Sequence, residues 1–92
     1  MFSIEIKPEA IKHLAGIKRY YAVQIITSVE KYLRYTPDKP TPPRIKILRG
    51  HQQATYRLRE GDYRIFYDVM GGAVKVTAIL HKYDTKMFYE EE

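Results

Sequence analysis

Residues 55–69 read Thr-Tyr-Arg-Leu-Arg-Glu-Gly-Asp-Tyr-Arg-Ile-Phe-Tyr-Asp-Val, and this stretch decides the fold. Side chains alternate in character on both sides of Glu60-Gly61-Asp62, whose residues are those of a tight turn. Residues 55–59 and 63–69 are therefore predicted to be the two strands of a β-hairpin. A second turn at Gly71-Gly72 adds residues 74–80, so three strands form an antiparallel meander.

Working outward, residues 45–48 (Ile-Lys-Ile-Leu) form a further short strand, and Gly50 opens the turn that follows. Residues 36–43 hold four prolines and make a semi-rigid connection. Before it, Ala22, Ile25, Ile26, Val29 and Leu33 form an apolar helical stripe, while Gln24, Ser28, Lys31 and Arg34 face away. Thr36-Pro37-Asp38 stops that helix, because proline disfavours helical geometry in the residue before it. Ile11, Leu14 and Ile17 mark a shorter helix over residues 8–17, with Pro8 in its first turn and Gly16 near its end. Residues 2–7 alternate and read as a half-buried strand. At the other end, Asp84 is positioned to cap a short helix or turn reaching Tyr89. The expected order is β-α-α-β-β-β-β with a short C-terminal helix. This is an α+β fold, with two helices packed on one face of a twisted, mainly antiparallel sheet and the other face free to be polar.

Ninety-two residues fill one core, so residues 1–92 are expected to be a single domain. The absence of cysteine excludes disulfides and thiolate chemistry and fits a cytoplasmic location. His13, His51 and His81 are too far apart in sequence to make a short ligand pair, so neither metal nor cofactor is expected. No apolar run approaches the roughly 20 residues that span a bilayer, and the N-terminus lacks the basic start of a signal peptide. The net charge of +5 includes an acidic end, Glu90 to Glu92, so the rest of the chain is still more basic. Arg44, Lys46, Arg49, Arg57, Arg59 and Arg64 cluster against only Glu60 and Asp62, which favours a polyanionic partner.

Alternation sends Arg57 and Arg59 to one side of their strand, with Tyr56 and Leu58 on the other. Two residues of roughly 3.4 Å rise set them about 7 Å apart, the spacing of adjacent phosphates. Arg64 belongs to the neighbouring strand, so the three are expected to converge on one phosphate and to stabilise charge as it builds in phosphoryl transfer. His81, at the end of the last strand, is the best-placed group that titrates near neutrality; His51 is a weaker candidate, and Glu60 reads as a turn residue.

The runs Lys46-Ile-Leu-Arg-Gly50, Tyr56-Arg-Leu-Arg59, Gly61-Asp-Tyr-Arg-Ile-Phe-Tyr67 and Ile79-Leu-His-Lys82, with Tyr89 seven residues further on, resemble the signature of the RelE/ParE toxin superfamily of type II toxin–antitoxin systems. That resemblance covers essentially the whole chain. It implies a sheet like that of microbial ribonucleases and, for the RelE branch, an mRNA interferase: a metal-independent endoribonuclease that works on the ribosome through attack of a 2′-hydroxyl on the adjacent phosphate. By the same resemblance Arg57 and Arg59 are the basic residues of the active strand, Arg64 grips the phosphate and Tyr89 contacts the base or reaction centre. Lys46, Arg49, Lys82, Tyr83 and Lys86 would bind RNA around them, with Tyr83 and Tyr89 available for stacking. Two departures matter. Lysine often stands where this chain has Arg59, and an arginine often stands near Tyr83. Arginine stays protonated and cannot act as a base, so proton transfer falls to His81. The implied partners are a cognate antitoxin, held in a hetero-oligomer with Tyr20, Tyr21, Tyr32 and Tyr35 as packing or contact residues, and mRNA on the ribosome, with no membrane. The alternatives are a ParE-like toxin that inhibits DNA gyrase and a catalytically inactive relative that binds only the antitoxin. On the ribonuclease reading, Arg64→Ala is expected to abolish growth inhibition and leave the fold largely intact.

Overall fold

The computed structural model describes residues 1–49, 54–86 and 88. Five strands and two helices occur in the expected order: β1 (Ser3–Ile6), α1 (Pro8–Ala15), α2 (Arg19–Leu33), β2 (Ile45–Ile47), β3 (Tyr56–Glu60), β4 (Tyr63–Met70) and β5 (Ala73–His81). They form one sheet in the order β1-β5-β4-β3-β2. All pairs are antiparallel except the outer pair β1–β5, which is parallel. The chain leaves β1 at one edge and reaches β2 at the other, and both helices lie in that crossing on one face of the sheet. None of the helices among the described residues is long and apolar enough to cross a membrane.

Both hairpins close with two residues, since Glu60 pairs with Tyr63 and Met70 with Ala73. Gly61 at φ 57° and Gly71 at φ 61° take the first central position of each turn. A positive φ at that position alone is the type II′ pattern, whose twist matches that of the strands it joins. One irregularity shapes everything beyond it. Phe66 pairs with Ala78 and Tyr67 with Val76, so Thr77 is an extra residue in β5. This bulge reverses the phase of the strand. Val74 and Val76 face the helices before it and Ile79 faces them after it, while Ala78 turns to the other side.

The main core joins Ala10 of α1 and Ile25, Val29 and Leu33 of α2 to Ile45, Leu58, Ile65, Tyr67, Val74, Val76 and Ile79 of the sheet. Complete burial of each Ile or Leu contributes about 1.5–3 kcal/mol, so α2 is held chiefly by three side chains two turns apart. Three expectations need correction here. Ile26 is only half-buried, because Ile25 takes the inward position. Ser28, expected to face solvent, is buried and donates to Glu60 Oε1. In α1 it is Ala10 that enters the core, leaving Ile11 exposed, and the helix ends at Ala15 with Gly16 as its C-cap rather than at Ile17.

The helix-free face is not simply polar, another correction. Leu48, Ala54, Phe66 and Ala78 form a small second cluster, with Leu80 and Phe88 packed against it. Phe88 stacks on Phe66 with ring centroids 4.2 Å apart, so the chain beyond β5 returns over this face. The expected C-terminal helix is a single 3-10 turn, Lys82–Asp84, and its cap is His81, not Asp84. The proline-rich connection is tied to the core by Tyr67, whose hydroxyl donates to the Pro37 carbonyl over 2.6 Å. Burial drives the ionisation of that phenol far upward.

Candidate nucleic-acid interface

Strand register builds a basic row on the helix-free face. Lys46 stands opposite Arg57, and Arg57 opposite Phe66, which lies in the second cluster. In the next row Arg59 stands opposite Arg64, and Arg64 opposite Leu80. The sheet thus brings Lys46, Arg57, Arg59 and Arg64 to one face, away from both helices.

Their surroundings differ. Arg57 is 4% exposed, and its Nη1 donates to the carbonyls of Pro43 (2.8 Å) and Arg44 (3.2 Å). Arg64 is 2% exposed, and its Nη1 donates to Gly61 O (2.9 Å) and Tyr63 O (3.0 Å) at the β3–β4 turn. Each therefore holds a segment of backbone as well as contributing charge. Arg59, Lys46 and Arg49 are exposed. The three arginines share a face, but two of the guanidiniums are engaged on neighbouring carbonyls rather than turned together toward a common point in solvent.

His81 lies on the opposite face. It pairs with Tyr63, two residues past the inward Ile79, and its ring meets the Tyr63 ring edge-on at 5.4 Å. Its Nδ1 accepts the Tyr83 backbone N–H at 3.3 Å, which leaves the ring's proton on Nε2 in the neutral form. His81 and the arginines therefore meet only at the end of the sheet where the Gly61–Asp62 turn separates the two faces. Lys82 is half-buried and ion-paired with Asp62 at 3.4 Å. Tyr83 and Lys86 are exposed. Tyr89 and His51 lie outside the described residues.

Glu60 has more than a turn role. It ends β3, lies under α2, accepts from Ser28, and has Arg44 Nη1 at 3.5 Å. Arg44 in turn covers the Tyr32 ring at 4.4 Å and donates to Arg59 O. The signal was present in the alternation: Tyr56, Leu58 and Glu60 share the core-facing side of β3.

Two helices on one face of a five-stranded sheet of this order, with a basic row on the other face, define the RelE-like toxin fold. Solved structures with the same arrangement include the RelBE2 toxin–antitoxin complex from Mycobacterium tuberculosis, at 18% identity and a TM-score of 0.73 over 87% of this chain and 96% of that one. The archaeal RelE–RelB complex from Pyrococcus horikoshii is similar at 21% identity and a TM-score of 0.70, over 88% and 94%. The RelB–RelE complex from Methanococcus jannaschii follows at 22% and 0.62, over 88% and 93%. A family model described as the ParE toxin of type II toxin-antitoxin system, parDE, matches residues 4–84, and the chain belongs to this family within the RelE/ParE superfamily. No curated protein matches it in sequence.

Proposed function

We infer that this toxin is an endoribonuclease that cuts mRNA on the ribosome, by attack of a 2′-hydroxyl on the adjacent phosphate and without a metal ion. The observation that carries the reading is the basic row Lys46, Arg57, Arg59 and Arg64 on the face opposite the helices. Arg59 and Lys46 offer charge to a phosphate directly. Arg57 and Arg64 stiffen the strands and turn beneath them and add to the field, and an RNA phosphate would compete with carbonyls for their remaining N–H groups. His81 transfers a proton from the turn end of the sheet, and Tyr89 orients the base. Lys82, Tyr83, Lys86 and Arg49 extend the RNA track. The toxin is held in check by a cognate antitoxin in a hetero-oligomer, as in the RelB–RelE complexes it resembles in fold.

A second reading has a specific observation behind it. Arg57 and Arg64 are engaged on backbone carbonyls, and His81 stands on the other face, which suits a toxin that works by binding DNA gyrase. Primer extension on translated messages after induction, run beside a supercoiling assay, decides between them. Cuts within codons are expected. Inhibited supercoiling with intact messages would replace the ribonuclease reading.

A further inference from the structure

At the sheet end, on the helix side, a hollow of about 280 Å³ lies between the start of α2 and the β3–β4 turn. It is lined by Tyr21, Gln24 and Ile25 of α2, by Glu60 to Tyr63, and by His81. Its volume is just below the roughly 300–1,000 Å³ of sites for drug-sized ligands, which suits a single ring system. Aromatic groups dominate its wall. Rings run in sequence from Tyr20 through Tyr21, Tyr63 and His81 to Tyr83, with successive centroids 5.2, 5.8, 5.4 and 5.1 Å apart. None of this is required by the core: Tyr20, Tyr21 and Tyr83 are exposed.

The polar groups decide what ring would fit. Glu60 and Asp62 offer hydrogen-bond acceptors. Their charge is already offset by Arg44 at 3.5 Å and Lys82 at 3.4 Å, so the hollow is not a trap for a cationic side chain. Neutral His81, with Nδ1 occupied by Tyr83 N–H, contributes a donor at Nε2. Adjacent acceptors select a base edge with adjacent donors. Guanine presents two side by side, N1–H and the 2-amino group, with O6 and N7 left to accept. Uracil has one donor flanked by carbonyls, and adenine and cytosine each set a ring-nitrogen acceptor beside their amino group.

A separate feature points the same way. The 15-residue helix α2 begins without a side-chain cap and without an acid in its first turn, and carries Lys18 and Arg19 there instead. Cations at a helix N-terminus oppose its dipole by about 0.3–1 kcal/mol each, unless an anion lies between them. Tyr21 is the third residue of this helix, so a phosphate attached to a base in the hollow falls near that N-terminus.

We propose that this hollow binds a guanine nucleotide, its base stacked on Tyr21 and Tyr63 and read by Glu60 and Asp62, its phosphate toward Lys18, Arg19 and the start of α2. The source is either an unpaired guanosine in RNA or a free nucleotide. The site lies off the basic row and stands whether or not that row cuts RNA.

The test is calorimetric titration of the whole chain with 5′-GMP, 5′-AMP, 5′-CMP and 5′-UMP, and with a tetraribonucleotide holding one central guanosine or adenosine. Guanosine is expected to bind at least about tenfold tighter than the other bases. Tyr21→Ala should weaken it by about tenfold or more, the loss typical of one base–aromatic stack, while Tyr21→Phe should retain it. Tyr21 is exposed enough that thermal melts of both variants should match the wild type. Tighter binding of the tetranucleotide than of GMP assigns the site to RNA; equal or weaker binding assigns it to the free nucleotide. Equal binding of all bases, no binding at millimolar GMP, or indifference to Tyr21→Ala overturns the proposal. If guanosine binds and Tyr21→Ala abolishes it in a chain that leaves messages intact, the pocket stands and the ribonuclease reading falls.

Discussion

Arg59 and Arg64 face each other directly across β3 and β4, yet one is exposed and the other is almost completely buried. Like charges opposite one another on a sheet are unfavourable. Here the repulsion is relieved because Arg64 turns its guanidinium onto Gly61 O and Tyr63 O, at 2.9 and 3.0 Å, leaving Arg59 to solvent. The pair therefore divides two tasks that sequence alone assigned to both.

The division is measurable. Arg64→Ala should cost about 1–3 kcal/mol in urea unfolding, because buried turn carbonyls lose a charged donor. This replaces the expectation that the substitution leaves the fold largely intact. Arg59→Ala should stay within about 0.5 kcal/mol of wild-type stability. On the ribonuclease reading it should slow cleavage on programmed ribosomes by about 10²–10³, as loss of one preorganised donor does. Equal stability of the two variants would show that Arg64 is not the structural member of the pair.

Ser28 and Glu60 join α2 to the turn end of the sheet. A hydrogen bond to a charged, partly buried carboxylate contributes about 1.5–3 kcal/mol, so Ser28→Ala should lower stability by that order. Glu60→Gln should lower it too, and the double variant should lose less than the sum of the two. Full additivity in chemical denaturation would mean that the two groups do not support one another.

What was legible in the sequence followed from local rules. The two glycine turns at Gly61 and Gly71 require positive φ, and the helix boundaries carry Pro8 and Pro37, so the order of elements could be read directly. What was not legible depended on partners distant in sequence. The Thr77 bulge leaves no mark in Val74-Lys-Val-Thr-Ala-Ile-Leu80, yet it sets the face on which His81 lies. The carbonyls that engage Arg57 belong to Pro43 and Arg44, across β2, so alternation revealed its side of the sheet but not its occupation. Ile25 and Ile26 are adjacent on the apolar stripe, and only packing against Leu58 and Ile65 in the same core distinguishes them.

That last distinction gives a direct measurement. Ile25→Ala removes a fully buried side chain and should cost about 2–5 kcal/mol, whereas Ile26→Ala should cost less because part of its surface is already in water. Thermal melts of both variants at neutral pH compare them. A larger loss at Ile26 would mean that α2 is rotated relative to the arrangement described here.

The sheet edge carries its own pH dependence. Glu5 of β1 pairs in register with Lys75 of β5, and its Oε1 accepts from Lys75 Nζ at 2.6 Å while Oε2 lies 2.9 Å from Lys7 Nζ. The Lys75 hydrogen bond, then that of Lys7, lowers the carboxyl from its ordinary 4.5 to about 2. A depressed carboxylate stabilises the fold where it is ionised in both states, above about 4.5, and that contribution disappears as pH falls from there toward about 2. Wild type should therefore lose stability relative to Glu5→Gln across this window, with the two curves meeting near its lower end. The group is at the surface, so high salt should shrink the difference at neutral pH. A Glu5→Gln variant whose stability parallels that of the wild type from pH 7 to pH 2 would show that the two lysines do not hold this carboxylate in solution.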